Sequence, residues 1–465
     1  MSILNIGTSA LTAAQTALST TSNNISNINT EGYTRQRADQ VTRPSSYQGD
    51  FYLGAGVTVN GVERIYDNFL ASQVRSYTSQ EAQQGSFLSY SNQVDDLLGS
   101  SELGINDGFD AFFGSIQEVA NDPTSISARQ VMLTQGELLA SRFNTLDSQL
   151  GQLERNIDND ISVAVEDINN LSQGIAELNQ AILEAKGSAS GANPNDLLDK
   201  RDQLINKLSE YVSVTTVEQS NGTVNVFVGS GQGLVVGASQ VDLSTISDSS
   251  FNPPRLNIGF GPTQIDITNQ VTGGSLGGAL QFRSDIIDNT RSELDLLAES
   301  VVTAFNNAHS NGFDLDGNAG GNLFDPSATT AADINMVITD PRAIAASSGT
   351  NIGTGNNENA LALADLQTDD SLVQVSAGPP PVTRSLADQY GVIVSDVATR
   401  TRQAEVSQET QQALLQQTKQ RFDSVSGVNL DEEAANLIKY QQAYQAASQI
   451  IVVSNTIFDS LINAV

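Results

Sequence analysis

The 465-residue chain has no cysteine, no tryptophan and a single histidine, His309. Without cysteine, disulfides, thiolate zinc sites, iron–sulfur clusters and cysteine nucleophiles are excluded together. One histidine excludes multi-histidine metal cages and allows a His-dependent triad at one place only. Positive charge is scarce as well: 22 Lys and Arg stand against 53 Asp and Glu, a net charge of −31. That balance argues against nucleic acid and anionic membranes as partners, because both are held by basic patches. No apolar run approaches the roughly 20 residues needed to span a bilayer, so membrane insertion is not expected. The opening MSILNIGTSALTAAQ lacks the basic and continuous apolar regions of a cleaved secretory signal. With 6% aromatic residues, the composition suits a long solvated protein better than a compact pocketed enzyme.

What the chain does have is helical periodicity, most regular at its two ends. Residues 1–30 carry no charge, and Leu4, Gly7, Leu11, Ala14, Leu18, Thr21, Ile25 and Ile28 recur at alternating steps of three and four. The same heptad pattern closes the chain through Leu437, Tyr440, Tyr444, Ala447, Ile451, Ser454, Phe458, Leu461 and Val465. After Tyr440 only Asp459 is charged. A helix that stays in water normally carries charge on its outer face, so these ends are written to be surrounded by other helices. We expect them to fold fully only on assembly.

A second stripe runs from Leu139 through Phe143, Leu146, Leu150, Leu153 and Ile157, then Ile161, Ala164, Ile168, Leu171, Ile175, Leu178 and Ile182. The step of four after Ile157 is a stutter that locally unwinds a supercoil. One helix over 125–186 would be about 90 Å long at 1.5 Å per residue. Further helical stripes cover Ile65–Leu98, Leu280–Ala308 and Leu386–Val425, enough for an elongated antiparallel bundle. Beyond Tyr211 the pattern alternates around Asn221-Gly222, which predicts a hairpin with a two-residue type I′ turn. Short strand-like pieces follow to about residue 272, and an irregular stretch covers about 311–383 with a β-like run at Ile334–Thr339. The expected architecture is α+β: terminal paired helices (1–45 and 430–465), a helical shaft (46–210 and 273–429) and an inserted β-rich unit (211–272).

Candidate chemistry is thin. Asp314, Asp316, Asn318 and Asp325 imitate the oxygen spacing of a calcium loop, but Ala319 stands where the sharp turn wants Gly and Asp325 where a bidentate Glu is usual. An Asx-rich turn explains them. His309 has no nucleophile motif and reads as a hydrogen-bonded structural residue. The acidic pairs Asp95-Asp96 and Glu432-Glu433 read as solvated helix faces or helix starts. No catalytic constellation and no cofactor or metal site is expected.

Directly after the first stripe, Ser22–Arg37 reads SNNISNINTEGYTRQR. In this run Asn23, Asn24 and Asn27 would turn the chain out of the helix, Gly32 would supply a positive φ and Tyr33 an anchor. The segment closely resembles the N-terminal signature of bacterial flagellar axial proteins, the rod, hook and hook-associated family. The continuation through Arg35 and Gln36 is similar to its hook-associated branch; a hook or rod paralogue would share the signature but not that continuation. Segments such as DPTSISARQVML from Asp122, FNNAHSNGFDLDG from Phe305 and GVNLDEEAANLIKYQQAYQAASQII from Gly427 extend the resemblance over most of the chain. It implies a structural adaptor, not an enzyme, whose terminal helices line the inner tube while the β-rich unit projects outward. The implied partners are hook protein below, a second junction protein above, further copies of itself, and a cytoplasmic export chaperone on the C-terminal helix. It also implies export through the flagellar type III channel, uncleaved, to the outside of the cell.

Overall fold

The computed structural model describes residues 3–48, 51–100, 102–188, 193–251, 254–350, 355–376 and 381–463; Val465 of the C-terminal stripe lies outside them. Ten α-helices occur among the described residues. The helices α1 (Ile3–Ser26) and α10 (Leu430–Ile462) come from the two ends of the chain and pack on each other. A shaft is built from α2 (Asn68–Leu98), α3 (Ile105–Asn121), α4 (Ile126–Ser188), α5 (Asn195–Tyr211), α6 (Gly274–Phe282), α7 (Asp288–Ser310), the short α8 (Glu358–Asp365) and α9 (Leu386–Ser426). Within it α2 lies along α9 and α6, and α4 along α3 and α5.

The helix α4 is continuous for 63 residues, about 95 Å at 1.5 Å per residue. Its expected stripe is buried from Leu139 to Ile168 and again at Ile175 and Ile182. Leu171 and Leu178 are only half-buried, and the next residues, Ser172 and Asn179, point inward instead. A straight helix drifts about 20° per heptad against a strict seven-residue repeat, and here the drift has carried the seam round by one position. At the other end of the bundle Phe109, Phe112, Phe113, Phe143, Phe305 and Phe324 form one cluster, with ring centroids 5.1–6.4 Å apart. Aromatic pairs at such separations add to the burial of their large surfaces.

The stripe expected over Leu280–Ala308 is broken: α6 passes through one π turn, Arg283–Ile287, before α7 begins. The π turn carries Arg283, which is buried and donates to the Leu256 carbonyl at 2.7 Å and to Asp158 at 3.3 Å.

Four strands follow α1. β1 (Gln36–Thr42) pairs antiparallel with β4 (Val57–Arg64), while β2 (Ser46–Gln48) and β3 (Phe51–Leu53) form the hairpin between them. Both β1 and β4 pack on α1. The boundary expected at residue 45 therefore falls between the paired strands β1 and β4, both of which pack on α1.

The β-rich unit after Tyr211 is two antiparallel sheets. One is a meander of β5 (Val214–Glu218), β6 (Val224–Val228), β7 (Gln232–Val236) and β8 (Ser239–Gln240); the other orders β11 (Ile265–Asp266), β10 (Arg255–Phe260) and β9 (Leu243–Asp248). The turn between β5 and β6 differs from expectation. Gln219 still pairs with Thr223, leaving a loop of three residues, and only Gly222 has positive φ, at 92°. A type I′ turn needs positive φ at both central residues; here Asn221 instead accepts from the Thr223 amide and hydroxyl, an Asx turn. The unit is mounted on α4 by side chains that bond its main chain. Asn169 exchanges two hydrogen bonds with Leu243, and Asn179 bonds the Val224 amide and carbonyl and the Gly237 carbonyl.

The irregular stretch after α7 is packed on the shaft by Leu323, Phe324, Ile334 and Ile344, all buried. No strand forms at Ile334–Thr339; Met336 makes one isolated bridge with Phe324. Near its end β12 (Val373–Ser376) pairs with β13 (Val382–Arg384). Asn306 on α7 binds the main chain of Leu323 and Phe324. His309 is structural, as expected: its Nδ1 donates to the Gly321 carbonyl at 2.7 Å and its Nε2 accepts from the Ala345 amide at 2.8 Å. That pair of bonds fixes the neutral tautomer. Asp314 accepts from the amides of Asp316 and Asn318, and Asp316 pairs with Arg342. Among the described residues no cluster of three or more acidic or histidine side chains is arranged to hold a metal.

Candidate assembly site

Small side chains let α1 and α10 approach. The buried residues of α1 are Gly7, Ser9, Ala13, Ala14, Ala17, Thr20, Thr21 and Asn24. A Cβ on Gly7 would meet Ile451 at 3.0 Å and Ile450 at 3.2 Å. Leu4, Leu11, Leu18, Ile25 and Ile28, the larger seam residues, are only half-buried in a single chain. On α10, Ala447 is buried and Leu437, Tyr440 and Ile451 are half-buried, while Tyr444 is exposed and Phe458 is 63% exposed. Leu461 lies outside the residues whose side chains are described. Around Phe458 the surface stays apolar: Ile438 and Val452 are each 56% exposed, and Val453, Ile457 and Ile462 are exposed too. The hairpin of β2 and β3 adds Tyr47 and Tyr52, exposed with rings 5.1 Å apart. Apart from Lys439 and Asp459, the exposed side chains of α10 from Ile438 to Ile462 carry no charge.

The signature residues form a knot at the base of this pair. α1 continues through Ser26, so Asn23 and Asn24 lie inside its last turns instead of capping it. The Asn24 amide is fully used. Its Nδ2 donates to the Gln36 carbonyl (2.9 Å) and to Glu433 (3.0 Å), and its Oδ1 accepts from the Gln36 amide (3.0 Å) and the Tyr33 hydroxyl (2.8 Å). Asn27 donates to the carbonyl and side chain of Asn23. Gly32 has φ of 72°, and any Cβ there would collide with Gln203. Burial, then the nearby carboxylates of Asp199, Asp196 and Glu433, push the Tyr33 hydroxyl up to about 12.

Arg35 binds Glu433 at 2.7 Å and Glu432 at 2.6 Å, joining the signature to the first turn of α10. Thr34 donates through its amide and hydroxyl to Asp199 on α5, and Arg64 closes the set with bonds to Asp199 (2.7 Å) and Asp202 (2.8 Å). Gln36 accepts from Asn195. One short segment thus ties α1, α10, the β1–β4 ladder and α5 together. Glu433 stands at a helix start, one of the two places expected for it, and is also buried and ion-paired with Arg35. The segments ERIYDNFLASQVR from Glu63 and DLLDKRDQLINKLS from Asp196 resemble the same family in sequence, but Arg64, Asp199 and Asp202 were not among the expected site residues, and only the fold shows which face of α5 meets Thr34.

A helical shaft that carries paired terminal helices with a polar knot at their base is the build of a structural protein. Comparison with known proteins agrees. Residues 91–324 match the family described as flagellar hook-associated protein FlgK helical domain. Residues 4–34 match flagella basal body rod protein, and 419–464 match flagellar basal body rod FlgEFG protein C-terminal. The chain is 31% identical to flagellar hook-associated protein 1 of Escherichia coli K12 over 551 aligned positions, covering 99% of both chains. It is 28% identical to the protein of that name from Bacillus subtilis, covering 98% of this chain and 96% of that one. The solved structure of the flagellar hook junction protein FlgK from Burkholderia pseudomallei superposes with a TM-score of 0.69 at 21% identity, over 76% of this chain and all of that one, and shares its fold. The chain belongs to the flagellar hook-associated protein 1 family. It is accordingly a hook-associated structural protein of the flagellum, built to assemble with other flagellar axial proteins. Among the described residues no helix is long and apolar enough to cross a membrane.

Proposed function

We propose that this protein is a structural junction between hook and filament, polymerising on hook protein through α1 and α10 and offering its far side to a second junction protein. The observation that carries the reading is the exposed apolar face of α10 from Ile438 to Ile462, which one chain leaves in water. Burying such side chains in a ring of copies contributes about 1.5–3 kcal/mol each. The seam residues Leu4, Leu11, Leu18, Ile25 and Ile28 on the first side, and Leu437, Tyr440, Tyr444, Ala447, Ile451, Phe458 and Leu461 on the second, are the contact set. The terminal pair with its hairpin forms the inner wall, the shaft surrounds it, and residues 211–272 face outward. Before assembly, a cytoplasmic chaperone covers the same face of α10, and the chain leaves uncleaved by the flagellar type III route.

Gene deletion tests the junction role. The expected result is bare hooks by electron microscopy with flagellin shed into the medium. Missing hooks would move the protein down to the rod or hook, and normal filaments would overturn the assignment.

A further inference from the structure

The terminal pair has a groove whose charge one chain does not balance. Two cavities, of about 490 and 260 Å³, adjoin between α1, β1 and α10 and share Arg37, Ala38 and Tyr440 in their walls. The larger is walled by short side chains, among them Ala10 and Ala14 of α1 and Ala443 of α10, which leave room that a close-packed interior would fill. The acids of these walls are engaged: Asp39 accepts from Asn60 at 3.4 Å, and Glu433 is held by Asn24 and Arg35. Of the remaining cations, Arg37 stands across the β1–β4 ladder from Glu63. Lys439, exposed on α10, has the Tyr440 ring 5.9 Å from its ammonium and no ion pair among the described residues.

After Glu433, Lys439 and Asp459 are the only charged side chains of α10, and they are opposite in sign. The step from residue 439 to residue 459 amounts to about 30 Å along the helix and about five and a half turns, which sets the two charges on opposite sides. They cannot meet within one chain. A two-fold pair of antiparallel helices does not join them either, because both charges would then have to lie on the one contacting face. A head-to-tail contact does join them: one side of α10 meets the opposite side of the next copy, the arrangement that generates rings and helical assemblies. On the side that bears Asp459, Thr456 and Val452 lie one and two turns back, both exposed, an edge of moderate size that suits a groove of alanines.

We propose that the groove between α1, β1 and α10 receives the segment 452–459 of α10 from a neighbouring copy, displaced by about 30 Å along the helix, with that copy's Asp459 paired to Lys439. The inference rests on the polymerisation through α1 and α10 proposed above and adds which face meets which, and in what register.

The test exploits the absence of cysteine. A Lys439→Cys/Asp459→Cys chain replaces the natural one in cells, and isolated flagella with their hooks are treated with a bismaleimide linker of roughly 10 Å, too short to bridge the two positions within one helix. A ladder of cross-linked multiples of this chain is expected, with no dimer from either single-cysteine variant. A dimer from a single variant, or a product that joins this chain to a different axial protein, overturns the contact. So does an absence of cross-links in cells with normal filament numbers, an outcome that leaves the polymerisation itself standing; failure of that reading shows separately, in the gene deletion. Charge reversal keeps the register testable where the cysteine chain does not assemble. Lys439→Glu and Asp459→Lys are each expected to lower filament number roughly tenfold through like-charge contact, and the double reversal to restore it. Undiminished filaments in both single reversals, or no recovery in the double, overturns the pairing.

Discussion

The shaft and the terminal pair are both helical, yet they are held by different means. The shaft encloses phenylalanine and branched aliphatic side chains that are buried within one chain. The terminal pair encloses alanine, glycine, threonine and one asparagine, and leaves its isoleucines, valines and phenylalanine outside. Apolar burial scales with area, so the shaft's stability is internal, whereas the terminal pair buries few large apolar side chains within one chain. The polar knot around Asn24, Arg35 and Glu433 fits that division: it fixes where the pair starts without supplying much apolar burial.

The largest effect that separates the two regions is on assembly. Phe458→Asp or Tyr444→Asp, each placing a charge in the C-terminal seam, should abolish incorporation into flagella while leaving helicity by circular dichroism nearly unchanged. Normal incorporation of either variant would erase the distinction. The converse variant is Phe305→Ala in the aromatic cluster, expected to cost about 3–5 kcal/mol of shaft stability, read as a lowered midpoint in chemical denaturation.

Between these lies Arg35→Ala, which leaves the buried Glu433 carboxylate with Asn24 as its remaining bond and should cost about 3 kcal/mol or more. If the knot belongs to the terminal pair, hydrogen exchange will rise in α1 and α10 and stay constant in α4; uniform acceleration would mean that the two regions unfold as one.

The smallest effect is a pH dependence. Burial, then the neighbouring Arg129, holds His309 below its ordinary value of 6.5. The folded chain therefore keeps the ring neutral while the unfolded chain takes up a proton. The stability this group supplies is complete above about pH 6.5 and is lost as pH falls below it, at about a kcal/mol per pH unit, until the folded group titrates. Burial raises Asp158, Asp199 and Asp295, which acts in the opposite direction on acidification. Comparison with His309→Gln by thermal unfolding between pH 7 and 5 isolates the ring, and parallel profiles would exclude it.

How far the sequence could be read follows the same division. The shaft helix was legible because large residues at steps of three and four over forty positions leave one solution, and the inward turn of Asn179 was not, since it depends on the strands that Asn179 binds. The terminal helices were legible from missing charge as much as from their stripe. Their knot was half legible: Asn24 and Gly32 stood out as types, but Glu433, the partner of Asn24, lies 409 residues away and, like Asp199, the partner of Thr34, looks like an ordinary helix-surface acid. The hairpin of β1 and β4 was missed because its residues are mostly polar and its single internal glycine-rich piece, Gly54–Gly56, reads as a loop. The turn at Asn221 showed its residue types but not its length, which is set by the pairing of Gln219 with Thr223.

The mounting of the β-rich unit has one more consequence. Asn169, Asn179 and Asp158 grip it through the amides and carbonyls of Leu243, Val224, Gly237 and Leu256, groups that every residue except proline shares. The grip is indifferent to which side chains the strands turn outward. Substitutions of the outward-turned side chains of this unit can therefore accumulate without disturbing its attachment to α4.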